Sequence, residues 1–112
     1  MVTLRKIETC NEECPVKKTA ELIEGKWTTL VIRELLPNKK RYSEIKRALT
    51  GISPKVLSSR LRLLEERQII TRTVYPTIPP TTEYELTDLG KKLEIVLEAM
   101  AKFGVELNSI LG

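Results

Sequence analysis

The segment Ile52-Ser53-Pro54-Lys55-Val56-Leu57-Ser58-Ser59-Arg60-Leu61-Arg62-Leu63-Leu64-Glu65-Glu66-Arg67 decides the fold. Ser53 suits an N-cap, because its hydroxyl can accept a hydrogen bond from an orphan amide of the first turn. Pro54 suits the first helical position, where no amide is needed. Stepping about 100° per residue from Leu57 brings Leu61 and Leu64 onto the same face. Lys55, Ser59 and Arg62 project from the opposite one, with Ser58 on the flank. A dry side and a basic side separate cleanly. Taken alone, the segment also fits an ordinary amphipathic helix with a solvated back, so its neighbours must decide.

Downstream the period changes. Residues 69–75 are rich in β-branched side chains and alternate, and a second alternating run covers 82–86. Between them Pro76-Thr77-Ile78-Pro79-Pro80-Thr81 carries three prolines, which limit sheet pairing and stiffen a projecting loop. The spacing predicts a β-hairpin wing over 69–86. Upstream, Ser43 is placed to cap a helix over 43–49 that turns Ile45, Ala48 and Leu49 inward, and Thr50-Gly51 make a turn. Residues 43–67 therefore have a helix-turn-helix layout, with 54–67 as the reading helix and the hairpin as its wing.

The flanks are helical too. Pro15 can open a helix running to about residue 24, with Val16, Ala20 and Ile23 on one stripe and Gly25 as the left-handed residue that ends it. Trp27, Leu30, Val31 and Leu35, with Ile32 beside them, then recur at helical spacing until Pro37-Asn38. Sharing that stripe makes Trp27 a core residue rather than the wall of a ligand pocket. Thr87 is placed to cap a last helix over 87–112, whose apolar stripe from Leu89 to Leu111 runs for more than five turns. So long a stripe exceeds what the core of one small domain can cover, and exposed stripes mark interfaces; the alternative is a helix that folds back on its own domain. Residues 1–13 are mixed and charged, and read as an arm.

Bulk properties narrow the class. A chain of 112 residues supports one domain over 1–112, and 41% hydrophobic with 30% charged residues is globular rather than disordered. No apolar run approaches the roughly 20 residues needed to span a bilayer. No leader-like segment points to export, so a cytoplasmic, membrane-free protein is expected. Charge is unevenly placed: residues 38–72 hold ten Lys or Arg against three acids, +7, while the rest of the chain carries nine against twelve, −3. A basic middle third around the reading helix is what contact with a polyanion requires. Cys10 and Cys14 are the only cysteines and there is no histidine, so one chain cannot supply the four ligands of structural zinc. No Gly-rich phosphate loop, His base or paired-carboxylate constellation is present, so neither an enzyme nor a cofactor is expected.

The segments Cys14-Pro15-Val16, Gly25-Lys26-Trp27, Arg41-Tyr42-Ser43-Glu44-Ile45, Gly51-Ile52-Ser53-Pro54-Lys55, Leu61-Arg62-Leu63-Leu64-Glu65, Val74-Tyr75-Pro76, Pro79-Pro80 and Glu83-Tyr84-Glu85-Leu86-Thr87-Asp88-Leu89-Gly90 together resemble the HxlR-type winged helix-turn-helix transcriptional regulators, relatives of the MarR group. The resemblance runs from about Cys14 to the C-terminus. It implies a mainly α fold with a small β-hairpin and a homodimer joined through its first and last helices. It also implies that each reading helix enters the major groove of a pseudo-palindromic operator, the two lying roughly 34 to 36 Å apart. Lys55, Ser58, Ser59 and Arg62 are then the expected groove contacts, Arg being able to grip guanine bidentately. Lys39, Lys40, Arg41, Lys46 and Arg47 are the expected phosphate contacts, each of which is also readable as a solvated surface charge. The chain departs from the family at the wing, which commonly bears a basic residue near Thr81 and here is uncharged from Tyr75 to Thr82. Any wing contact would fall to backbone or Thr hydroxyls.

Some members of that family resemble sensors of small oxidants or electrophiles through a cysteine just before the proline of the first helix, the position of Cys14. A helix N-terminus and the nearby Lys17 and Lys18 favour a thiolate, whereas Glu12 and Glu13 oppose it. Cys14 is the expected sensor and Cys10 a resolving partner or bystander; the alternative is a cysteine that only packs beside the interface. At the level of function, the competing reading is an architectural DNA binder or protein-interaction module on the same fold.

Overall fold

The computed structural model describes residues 14–111. In chain order the elements are α1 (Pro15–Leu22), α2 (Lys26–Leu35), β1 (Lys40–Arg41), α3 (Tyr42–Ala48), α4 (Pro54–Glu66), β2 (Ile70–Tyr75), β3 (Thr81–Leu86), α5 (Asp88–Lys91) and α6 (Leu93–Leu111). The fold is mainly helical with a small antiparallel sheet, a winged helix-turn-helix. Residues 1–13, read above as an arm, lie outside the described residues.

Helix α4 starts as its sequence dictates. Ser53 Oγ accepts the Val56 amide at 3.1 Å, and Pro54 occupies the first turn. Leu57, Leu61 and Leu64 are 0, 2 and 0% exposed, so one side of the helix is wholly seated. They join Val31, Ile32 and Leu35 of α2, Ile45 of α3 and Leu86 of β3 in a single core, where each fully buried aliphatic side chain stabilises by about 1.5–3 kcal/mol. The phase of α2 differs slightly from the expected stripe. Thr28, Val31, Ile32 and Leu35 face inward, Thr28 satisfying its hydroxyl on the Glu24 carbonyl at 3.2 Å. Trp27 and Leu30 sit half-buried at the core's edge, with Lys26 Nζ 4.5 Å from the Trp27 ring centroid.

Several boundaries depart from expectation. Helix α3 begins at Tyr42, not Ser43, because the Glu44 carboxylate accepts the Arg41 amide at 2.8 Å and so caps the helix from within. Ala48 is exposed, leaving Ile45 and Leu49 as the inward pair. Gly25 has the positive φ expected of it, 86°, but it precedes α2 as its N-cap, while α1 ends at Leu22. The connector Lys40–Arg41 is a strand, paired antiparallel with β3 at Lys40↔Tyr84 and Arg41↔Glu83, so the hairpin is one part of a three-stranded sheet in the order β1-β3-β2. Two residues are too few for a period to show. The last helix is two helices, broken at Lys92. Thr87 caps only the first, its Oγ1 accepting the Gly90 amide at 3.0 Å.

The turn from α4 into the wing is closed tightly. Gln68 takes a left-handed φ of 62°, which lets the Gln68 amide donate to the Glu65 carbonyl at 3.0 Å and the Ile69 amide to the Leu64 carbonyl at 2.9 Å. Thr87 then ties the far end of the wing to this turn: its Oγ1 donates to the Gln68 carbonyl at 2.7 Å and its amide to the Ile69 carbonyl at 2.9 Å. Gly90 packs against the same Ile69 carbonyl so closely that an added Cβ would overlap it. Helix α4 and the root of the wing are thus tied together by hydrogen bonds and close packing.

Candidate nucleic-acid interface

The face of α4 opposite Leu57, Leu61 and Leu64 is open. Lys55, Ser58, Ser59 and Arg62 are all exposed, and none of them is used by the core. Arg60 turns the other way: it is half-buried beside Gly25, and its Nε has no hydrogen-bond partner among the described residues. It contributes to the local charge count without belonging to the open face.

The basic residues before α4 differ in how freely they can act. Lys40 is bound to Glu34 at 3.1 Å with its side chain 25% exposed, which makes it a strut between α2 and β1. Lys39 lies 3.4 Å from Glu83, and that carboxylate raises the lysine's pKa above its ordinary value. Arg41 and Arg47 are exposed and Lys46 is half-buried. With Tyr42 and Ser43, Arg41 lines a recess against Pro80, Thr81 and Thr82, which places a cation beside the tip of the wing, uncharged from Tyr75 to Thr82. At the wing itself, Tyr75 Oη donates to Glu83 at 3.0 Å, Thr77 Oγ1 to the Pro79 carbonyl at 2.8 Å, and Ile78 stands fully exposed.

Sequence reasoning overlooked the junction of α4 and the wing. Ser58, Arg62 and Glu65 of α4 share a recess with Arg72 of β2 and Tyr84 of β3. Arg72 Nε lies 3.6 Å from Glu65, and Arg72 is the direct cross-strand partner of Tyr84. Burial raises the pKa of the Tyr84 phenol, opposed by the charge of Arg72 and reinforced by that of Glu65. A usable signal existed: counting by two from the buried Ile70 puts Arg72 on the strand face that carries the core.

Cys14 stands at the N-cap of α1, immediately before Pro15, and is 5% exposed. Its carbonyl accepts the Lys18 amide at 3.0 Å. Cys10 lies outside the described residues. Helix α1 buries none of its residues, and Val16, Ala20 and Ile23 line a shallow apolar depression on its surface. Helix α6 is similarly uncovered: Leu93 is buried, but Ile95, Phe103, Ile110 and Leu111 are between 65% and 80% exposed.

A family model described as HxlR-like helix-turn-helix matches residues 22–109, everything from the end of α1 to near the end of α6. The chain belongs to this family. It is a helix-turn-helix transcriptional regulator, and the HxlR-like members are regulators rather than enzymes. Among its relatives, an uncharacterized HTH-type transcriptional regulator of Synechocystis sp. is 46% identical over 91 residues, which cover 81% of this chain and 67% of that one. A solved structure assigned to the MarR family of transcriptional regulators, from Porphyromonas gingivalis W83, superposes with a TM-score of 0.84 at 42% identity over 88% of this chain and 97% of that one. The redox regulator HypR is also similar. Its reduced form gives a TM-score of 0.81 at 35% identity over 87% of this chain and 96% of that one, and its oxidised form 0.76 at 36% over 83% and 96%. Among the described residues of this HxlR-like chain, no helix is long and apolar enough to cross a membrane.

Proposed function

We propose that this HxlR-like regulator works as a homodimer that binds a pseudo-palindromic operator sequence-specifically, with α4 in the major groove. The observation that carries the reading is the division of α4 into a seated leucine face and an open face bearing Lys55, Ser58, Ser59 and Arg62. A helix whose open face bears lysine, serine and arginine side chains, capped at its N-terminus and flanked by exposed Arg41 and Arg47, is suited to read base edges while its neighbours hold phosphates. Dimerisation is supported by the uncovered apolar surfaces of α1 and α6, which the chain's own core leaves in water.

Control by a small oxidant or electrophile acting on Cys14 is supported by the position of that thiol at the start of α1 and by the likeness to HypR, a redox regulator solved in both redox forms. Oxidation to a sulfenic acid, followed by disulfide formation with a second thiol, would alter α1 and hence the pairing of the subunits. Because Cys14 is buried, reagent access requires α1 to open locally.

The test is a titration by fluorescence anisotropy of a duplex from the gene's own upstream region and of a random duplex of equal length, at one fixed salt concentration. Tighter binding to the upstream duplex is expected. Arg62→Ala should cost roughly 1–3 kcal/mol on it if Arg62 reads a base. Equal affinities for the two duplexes would favour an architectural DNA binder, and no binding to either a protein-interaction module.

A further inference from the structure

Resting on that DNA-binding reading, we infer that the recess between α4 and the wing root is a seat for one backbone phosphate, built on Arg72, bordered by the base-facing Ser58 and Arg62, and occupied in the unbound protein by the Glu65 carboxylate. The recess has a volume of about 320 Å³ and is lined by Ser58, Arg62, Glu65, Arg72 and Tyr84. Ser58, Arg62 and Glu65 follow one another at i, i+4 and i+7, along the flank of α4 that turns toward β2. Arg72 enters from the strand side, 49% exposed, with its Nε held 3.6 Å from a Glu65 side chain that is itself 41% exposed.

Topology supplies the ligand. With α4 in one groove and the tip of the β2–β3 hairpin reaching toward the next, the strand of DNA separating the grooves must cross where the two elements join. That junction is this recess. The Arg72 guanidinium matches the oxygens of a phosphodiester, guanidinium being the side chain best shaped for bidentate contact with phosphate. The buried Tyr84, paired across the strands with Arg72, forms the floor and keeps the strand in register with the helix.

Glu65 is the discordant member. A carboxylate in a phosphate seat repels the ligand, so it must release Arg72 for the phosphate to enter. At 3.6 Å and half in water, the pair is weak enough to exchange. Glu65 thus lowers affinity for every DNA alike, and Arg72 adds affinity that carries no sequence information.

The experiment uses the full chain and its Arg72→Gln, Arg72→Lys and Glu65→Gln variants. Each is titrated onto the upstream duplex and a random duplex across a potassium chloride series, with thermal melts to confirm folding. Arg72→Gln should weaken binding roughly tenfold on both duplexes and lower the slope of log affinity against log salt by about 0.9, the loss of one phosphate contact. Arg72→Lys should restore the slope. Glu65→Gln should tighten binding about twofold to fivefold on both duplexes. Arg72→Gln and Glu65→Gln break the same ion pair, so a pair that only braces the wing would weaken binding in both. That result would overturn the proposal, as would an unchanged salt slope in Arg72→Gln or a loss confined to the upstream duplex in Glu65→Gln, which would make Glu65 a base reader. Should the unaltered chain bind neither duplex, the DNA-binding reading itself fails and the seat falls with it. A slope change in Arg72→Gln without preference for the upstream duplex would keep the seat and remove only sequence specificity.

Discussion

Three residues hold positions that their types alone do not announce. Gln68 adopts a left-handed φ of 62° where helices commonly place glycine. Because an L-residue is strained there, Gln68→Gly should stabilise the fold by about 0.5–1 kcal/mol, seen as a raised urea midpoint with an unchanged slope. Gly90 needs no unusual backbone angle; it is required because a Cβ there would overlap the Ile69 carbonyl, which already accepts from Thr87. Gly90→Ala should therefore destabilise by about 1–3 kcal/mol in the same measurement. Cys14 was legible as a candidate from Pro15 beside it, but its burial was not, since burial depends on what other elements cover. Replacing Cys14 by Ser should leave DNA affinity unchanged without oxidant and abolish any release of DNA on treatment with peroxide or diamide. Release that persists in the variant would move the sensing function elsewhere.

At the scale of elements, local rules worked where a signal spans several residues. The cap Ser53, the turn at Gly51 with its φ of 94° and the three-leucine face of α4 could all be read directly. Ser53→Ala should cost about 1 kcal/mol by leaving the Val56 amide without its acceptor, lowering the melting temperature while sparing the wing. The same rules failed at short range and at contested ends. Strand β1 has two residues and exists only because β3 offers a free edge. Ser43 is a good cap by type, yet Glu44 reaches back to the Arg41 amide and starts α3 two residues earlier than a cap at Ser43 would allow. The break at Lys92 is invisible in a stripe that continues through it, because Leu89 and Leu93 keep helical spacing across the kink.

For the whole molecule, size and shape disagree in a useful way. The radius of gyration is 16.0 Å, whereas a compact domain of about 100 residues has one near 13 Å. The excess comes from α6, whose 19 residues extend roughly 28 Å while only its first turns pack on the core. An apolar helix left in water calls for a partner, so Phe103→Glu should weaken the proposed dimer at least about tenfold in analytical ultracentrifugation, with little effect on the α2–α4 core. A variant that sediments unchanged would show that the interface lies elsewhere. By itself the sequence determined the helix-turn-helix, the direction of the open face of α4, the wing and the surplus apolar stripe. Each of these rests on periodicity or capping within a few turns of chain. Tertiary structure alone decided which charges are free and which are spent: Lys40 on Glu34, Arg60 tucked against Gly25, and Arg72 brought to Glu65 and Tyr84. Those pairings join residues on different elements, and their distances are set by how helices and strands pack rather than by their spacing along the chain.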